Sequence, residues 1–227
     1  MNNMLKTRLS IIFYSLFLII VSALITTGYF HLFVFGSAVE DQEQVLKKIP
    51  EAQVAGSPIK EENTIVEIIS YGCHYCAVSE KDISRFEQQL PPTAKLIRLH
   101  FSTPALSGLA SYASVFATLS VMGIEAQYRG QAYKAILEEN INLADETQLE
   151  KWLLQNGIDR LAYLKASQSP EREAMLTYMT EVSQYYGINA TPTFIVGKKW
   201  LAQQEGDFPT FSKQLMSLLQ HDKPLDR

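Results

Sequence analysis

Cys73 and Cys76 are the only cysteines in the chain, and they share the short stretch "IISYGCHYCAVSEKD" from Ile68 to Asp82. Two thiols at this spacing can form a structural bridge, supply half of a metal site, or exchange electrons. A bridge between residues so close together closes a tiny loop and removes little unfolded-chain entropy. A structural zinc ion takes four ligands. No second cysteine pair exists here, and the histidines are His31, His74, His100 and His221. A redox pair uses the spacing better. A cysteine in the first turn of a helix faces unpaired backbone N–H groups and the positive end of the helix dipole, and both favour thiolate over thiol. Cys73 follows Gly72 where a strand-like run gives way to a helical one, and Cys76 lies one turn further in. Cys73 is therefore expected to be the accessible sulfur that meets other proteins, with Cys76 less exposed and closing the pair. His74, when protonated, adds positive charge beside Cys73, and Tyr75 flanks the groove. The alternative from a different class is a soft-metal module, a copper carrier using both thiolates and His74.

Two further features belong to this chemistry. Glu67 stands six residues before Cys73, inside the apolar run "TIVEIIS". Alternation along a strand puts Val66 and Ile68 on the opposite face, and a carboxylate buried in such a run is costly unless it is used. Burial would raise its pKa and let it exchange a proton with Cys76; an edge strand with Glu67 in water is the plainer reading. Far downstream, "NATPTFIV" puts Pro192 immediately before a strand, where proline cannot serve an interior ladder. A cis Thr191–Pro192 bond would turn the chain sharply and leave the Thr191 backbone free to pair with an extended peptide.

The elements that must position these residues can be read from periodicity. "NTIVEIIS" (63–70) and "AKLIRLHF" (94–101) are short and rich in branched residues, as buried strands are. The pattern is helical from Cys73 to Pro91. Helical segments follow over about 105–122, 125–138, 147–156, 159–167 and 170–186, with Gly157 and Gly187 at helix ends and Asp145 with Gln148 as an N-cap and its partner. "TFIV" and "KWLA" form a hairpin through Gly197-Lys198, and a last helix covers about 208–219. This order predicts an α/β fold: a small mixed sheet covered by helices, with an all-helical subdomain inserted. The expected division is a sheet domain from 63–102 and 187–220, a helical insert at 103–186, and a tether at 37–62.

The N-terminal stretch is of another kind. From Ile11 to Phe35 no Asp, Glu, Lys or Arg occurs over 25 residues, and about 20 apolar residues suffice to span a bilayer as a helix. Residues 1–36 therefore read as a cytoplasmic tip and a transmembrane helix through 11–35, with a long signal cleaved near Ala38 as the alternative. Lys6 and Arg8 precede the span, whereas Glu40, Asp41 and Glu43 follow it, so the rest of the chain faces outward. A second uncharged stretch, from Phe101 to Ile124, contains Pro104 and many hydroxyls and reads as a buried helix. The net charge is −4, and a mildly acidic globule lacks the electrostatic footprint of a nucleic-acid binder. No cofactor or metal site is expected.

Taken together, "EIISYGCHYC", "TPTFIVGKKW" and the helical insert between them resemble the DsbA-like thiol–disulfide oxidoreductases of the bacterial periplasm, on a thioredoxin fold. The 119 positions from Cys73 to Pro192 suit a DsbA-like insert. The resemblance covers about residues 60–220. It implies a catalytic pair at Cys73 and Cys76, an acid beneath them at Glu67, and a substrate-contacting cis-proline loop at Thr191 and Pro192. It also implies exported proteins with thiols or disulfides as substrates, and a membrane or periplasmic redox partner that resets the pair. The oxidase branch typically carries Pro-His between its cysteines, where this chain has His74-Tyr75. Threonine before the proline is closer to the isomerase and reductase branches. Oxidase, with reductase or isomerase as the alternative, is the expected direction.

Overall fold

The computed structural model describes residues 2–29 and 45–225. The chain forms two units, divided between residues 44 and 45.

The first unit carries helix α1, Asn2–Tyr29. Between Phe13 and Tyr29 its large apolar side chains, Phe17, Ile19, Leu24 and Ile25 among them, are exposed. The anchor expected at 11–35 runs past Tyr29 into residues outside those described. Among the described residues no helix is long and apolar enough to cross a membrane.

The second unit is built on a five-stranded sheet in the order β1-β5-β4-β2-β3. Its strands are β1 (Leu46–Lys48), β2 (Thr64–Ile69), β3 (Lys95–His100), β4 (Thr193–Val196) and β5 (Trp200–Gln203). The short helix α2 (Glu51–Ala55) follows β1. Within residues 45–62 lie this short strand and short helix, and β1 pairs antiparallel with β5 and closes that edge of the sheet. β2 pairs with β3 in parallel and with β4 antiparallel, so it has a partner on each side. All of its residues are buried, which fits a run rich in isoleucine and valine.

Helix α3 (His74–Gln89) follows β2 and ends just before Pro91. Between β3 and β4 the chain runs through α4 (Ala113–Val121), α5 (Glu125–Leu137), α6 (Glu146–Gln155), α7 (Arg160–Ser167) and α8 (Pro170–Tyr185). Helix α4 starts later than its sequence suggests. Leu106 and Gly108 have positive φ, and only a single 3-10 turn precedes it. Side chains of Asp145, Asp159 and Ser169 cap α6, α7 and α8 by accepting from backbone N–H groups, each such cap stabilising its helix by about 1 kcal/mol. Gly197 and Lys198 both adopt positive φ in the β4–β5 turn, as a two-residue hairpin requires. Helix α9 (Phe208–His221) ends the described fold.

The sheet separates two apolar cores. One joins Val66, Ile68 and Leu99 to the insert through Phe116, Leu119, Met179 and Val182, and it includes both cysteines. The other packs Ile65, Phe194 and Val196 against Ile83 and Phe86 of α3 and Phe211 and Leu215 of α9. Burying Ile83 and Phe86 contributes roughly 1.5–3 kcal/mol each and fixes α3, and with it Cys76, over β2.

Candidate active site

The junction between β2 and α3 is held from three directions. Tyr71 donates its backbone N–H to His100 Nε2 at 3.0 Å. His100 donates from Nδ1 to the Phe101 carbonyl at 2.7 Å, which fixes the neutral tautomer, and burial pushes its pKa down to about 4. Ser70 donates its hydroxyl to the Leu109 carbonyl at 2.7 Å and accepts from the Gly72 N–H at 3.1 Å. Cys73 donates its backbone N–H to the Ser70 carbonyl at 2.9 Å. A Cβ at Gly72 would meet only the Tyr112 and Ser70 side chains, at 3.5 Å and 3.6 Å, which is ordinary van der Waals contact, so no close approach demands glycine there.

Cys73 is therefore the N-cap residue of α3. Its sulfur accepts the Cys76 N–H at 3.2 Å and, as a thiol, donates to the Thr191 carbonyl at 3.2 Å. Its pKa falls to about 6, chiefly because the Cys76 thiol donates to the thiolate; Thr191 and the N–H groups of Cys76 and Tyr75 add to this against a burial penalty. Burial pushes the Cys76 thiol the other way, far up, and the negative sulfur of Cys73 reinforces that. The two thiols are free and unequal.

Cys73 is more enclosed than expected of a sulfur that meets other proteins, with 6% of its surface exposed against none for Cys76. The reason is the chain around Thr191 and Pro192, whose connecting peptide bond is cis and which lies directly against Cys73. The Thr191 hydroxyl is buried and has no hydrogen-bond partner at geometric distance. His74 and Tyr75 stand in solvent at the head of α3, edge to face at 6.1 Å between ring centres.

Glu67 is wholly buried beneath α3. Since β2 is flanked on both sides, the edge-strand reading of this residue does not hold. Its register partner on β3 is Arg98, which donates from Nε to Glu67 Oε2 at 3.0 Å and from Nη1 to Glu87 at 2.9 Å. Burial dominates, and the Glu67 pKa rises to about 7 in spite of Arg98. The charge of Glu67 in turn raises the Cys76 thiol. Arg98, Glu80, His100 and Tyr71 all support this site and are not evident from spacing. The one visible signal is Arg98 itself, a cation inside the apolar run "KLIRLH". Among the described residues no group of three or more His, Cys, Asp and Glu could hold a metal ion, so the copper reading finds no further ligand.

Residues 86–216 match the family model of the DSBA-like thioredoxin domain. The chain belongs to that family. The matched span begins after the cysteine pair. Among curated proteins, the thiol:disulfide interchange protein DsbA of Pseudomonas aeruginosa is 27% identical over 138 residues, covering 60% of this chain and 64% of the relative. The protein of the same name from Azotobacter vinelandii is 28% identical, covering 60% and 63%. The chain thus spans somewhat under two thirds of these relatives. Among solved structures, Pseudomonas aeruginosa DsbA superposes with a TM-score of 0.66 at 22% identity, over 79% of this chain and 92% of that one. The oxidoreductase NmDsbA1 of N. meningitidis gives 0.63 at 21%, over 78% and 90%. These likenesses show the shared thioredoxin-like α/β fold.

Proposed function

We propose that the chain is a protein thiol–disulfide oxidoreductase working through Cys73 and Cys76 on exported proteins. The observation that carries this is the unequal placement of two adjacent sulfurs: Cys73 caps the N-terminus of α3, accepts the Cys76 N–H at 3.2 Å and lies against the cis Thr191–Pro192 peptide, whereas Cys76 is fully buried behind it. In the oxidase direction a substrate thiolate attacks the Cys73 side of the Cys73–Cys76 disulfide. A substrate–Cys73 bond forms, the bond between the two cysteines breaks, and Cys76 leaves with the electron pair. The carboxyl of Glu67 is the acid that can return a proton to Cys76. A second substrate thiolate then attacks the substrate sulfur, and Cys73 departs as thiolate. The substrate loses two electrons, the pair gains them, and a membrane or periplasmic redox partner removes them again. Thr191 and Pro192 form the substrate-facing side, where the Thr191 carbonyl and an extended peptide can pair, and the exposed Tyr75 offers a further contact. His74 borders the reacting sulfur.

Leaving ability rises as thiol pKa falls. A Cys73 thiol near 6 lies between DsbA at about 3.5 and thioredoxin at about 7. The pair is therefore expected between their potentials of about −120 and −270 mV. Titration against glutathione buffers tests this, and Cys76→Ala traps the mixed disulfide so that bound proteins can be identified. A potential at or below that of thioredoxin would move the reading to reductase or isomerase. Absence of any trapped mixed disulfide would end it.

The same reading places the enzyme on the periplasmic side of the inner membrane, anchored through residues 11–35. Support comes from the uncharged run there, from the basic residues before it and from the acidic residues after it. Membrane extraction at high pH, with N-terminal sequencing of the mature chain, separates an anchor from a signal cleaved near Ala38.

A further inference from the structure

Five buried or half-buried charged side chains form an unbroken line from the helical insert to the acid beneath Cys76. On α5, Arg129 donates from Nε to Glu125 Oε1 at 2.9 Å, and its Nη2 also reaches Glu125. Arg129 Nη1 donates to Glu80 Oε1 on α3 at 2.9 Å. The same Glu80 oxygen lies 3.7 Å from Arg98 Nη2, and Arg98 Nε lies 3.0 Å from Glu67 Oε2. The side chains of Arg129, Glu125 and Arg98 are each less than a tenth exposed. With Glu87, the half-exposed partner of Arg98 Nη1, four carboxylates face two guanidiniums, so full ionisation leaves an excess of negative charge. Glu67 Oε1, Glu80 Oε2 and Arg98 Nη2 are all buried without a hydrogen-bond partner. A line short of partners at its redox end has room for one mobile proton, and Glu67 is its most buried carboxylate.

We propose that Arg129 is a positioning residue for the redox site: by holding Glu80 against Arg98 from the helical insert, it sets the pH at which Glu67 exchanges its proton with Cys76. This rests on the oxidoreductase reading and extends it to a residue outside the sheet domain. Three elements present titratable or charged groups to Glu67. β3 contributes Arg98. α3 contributes Cys76 and Glu80, with Glu87 at the rim of Arg98. α5 contributes Arg129 and Tyr133. Burial first, and then the negative charges of Cys76, Glu67 and Glu80, push the Tyr133 phenol upward, and its hydroxyl has no partner. Glu125 acts one step removed, bonded to Arg129 and to the Tyr71 hydroxyl, which donates to it at 2.9 Å. Arg129 lowers the Glu67 pKa and Glu80 raises it. Loss of Arg129 removes a favourable charge and leaves an unfavourable one less neutralised, so both effects have one sign.

The test is a carboxyl NMR titration of Glu67 in the reduced full-length chain in detergent, run beside the pH profile of disulfide exchange. In Arg129→Met both midpoints are expected to rise by up to about one unit, below the range for loss of an adjacent opposite charge because Glu80 and Arg98 stand between Arg129 and Glu67. Arg129→Lys should restore them. Glu125→Gln, which keeps the ion pair between Arg129 and Glu80, should leave them near wild type. Should Arg129→Met fail to fold, Glu125→Gln/Arg129→Met removes both partners of the buried pair and should still raise the midpoint, since Glu80 is again left without its guanidinium partner on α5. An unmoved midpoint in Arg129→Met or in the double variant, or an equal shift in Glu125→Gln, would overturn the proposal. The titration needs no turnover. A chain that titrates as expected but exchanges no disulfide would therefore defeat the functional reading alone.

Discussion

Cys76 supports the Cys73 thiolate twice, through its backbone N–H at 3.2 Å from the sulfur and through its own thiol. The backbone contribution survives any substitution of Cys76, whereas the thiol contribution does not. Hydrogen bonds to charged groups are worth about 1.5–3 kcal/mol, or roughly one to two pKa units at 1.36 kcal/mol each. In Cys76→Ala the midpoint of Cys73 alkylation, about 6 in the wild type, should rise by at least one unit. Cys76→Ser keeps an O–H donor and should rise less. Alkylation rates followed from pH 4 to 9 read both, and a Cys76→Ala midpoint unchanged from the wild type would show that the thiol donor does not matter.

Thr191 acts on the same sulfur, but second to Cys76 among the stabilising groups. Its carbonyl accepts from the thiol and so favours the protonated form, whereas its buried hydroxyl is free to turn toward the thiolate. Thr191→Val keeps the shape and the carbonyl and removes only the hydroxyl. The Cys73 midpoint should rise, by less than in Cys76→Ala, and the pair should become less oxidising. A fall in the midpoint would mean that the hydroxyl opposes the thiolate.

The parts of this site legible in the sequence are those fixed by local chain chemistry. Cys73 at a helix start, the Gly197-Lys198 turn and the caps at Asp145 and Gly187 each depend on a few consecutive residues. Glu67 stands out because a carboxylate interrupts an apolar strand. What pairs with it is not legible, because parallel register brings Arg98 alongside only after a 16-residue helix has intervened. Arg129 and Glu125 are harder still. On α5 they are an ordinary i,i+4 pair of the kind found on solvated helix faces, and only the docking of the insert on α3 buries them. The late start of α4 escapes a periodicity reading because Leu106 adopts a left-handed conformation uncommon for its residue type.

His100 is a latch for the loop before Cys73. It is buried, neutral, and the acceptor for the Tyr71 N–H. His100→Leu leaves that N–H without a partner in an apolar surrounding, which costs about 1–3 kcal/mol. Urea unfolding at pH 7 should show this loss. Amide exchange at Tyr71 should accelerate more than exchange at strand residues such as Ile97. Uniform acceleration would mean that His100 serves general stability instead.

Glu67 and His100 should hide one another in the pH dependence of stability. The Glu67 pKa is raised from 4.5 to about 7, so the folded state keeps a proton that the unfolded state has released. Its contribution is whole below pH 4.5 and is lost as pH rises to about 7. The His100 pKa is lowered from 6.5 to about 4, so the unfolded state takes up a proton that the folded state refuses. Its contribution is whole above pH 6.5 and is lost as pH falls to about 4. Each displacement corresponds to about 3 kcal/mol, and the slopes have opposite sign over nearly the same interval. The wild type, kept oxidised so that Cys73 does not titrate, should show a nearly level unfolding free energy from pH 4.5 to 6.5. Glu67→Gln should unmask a stability that rises with pH there, and His100→Leu one that falls. Parallel curves for the two variants would show that at least one of these groups does not titrate in the fold as its burial dictates.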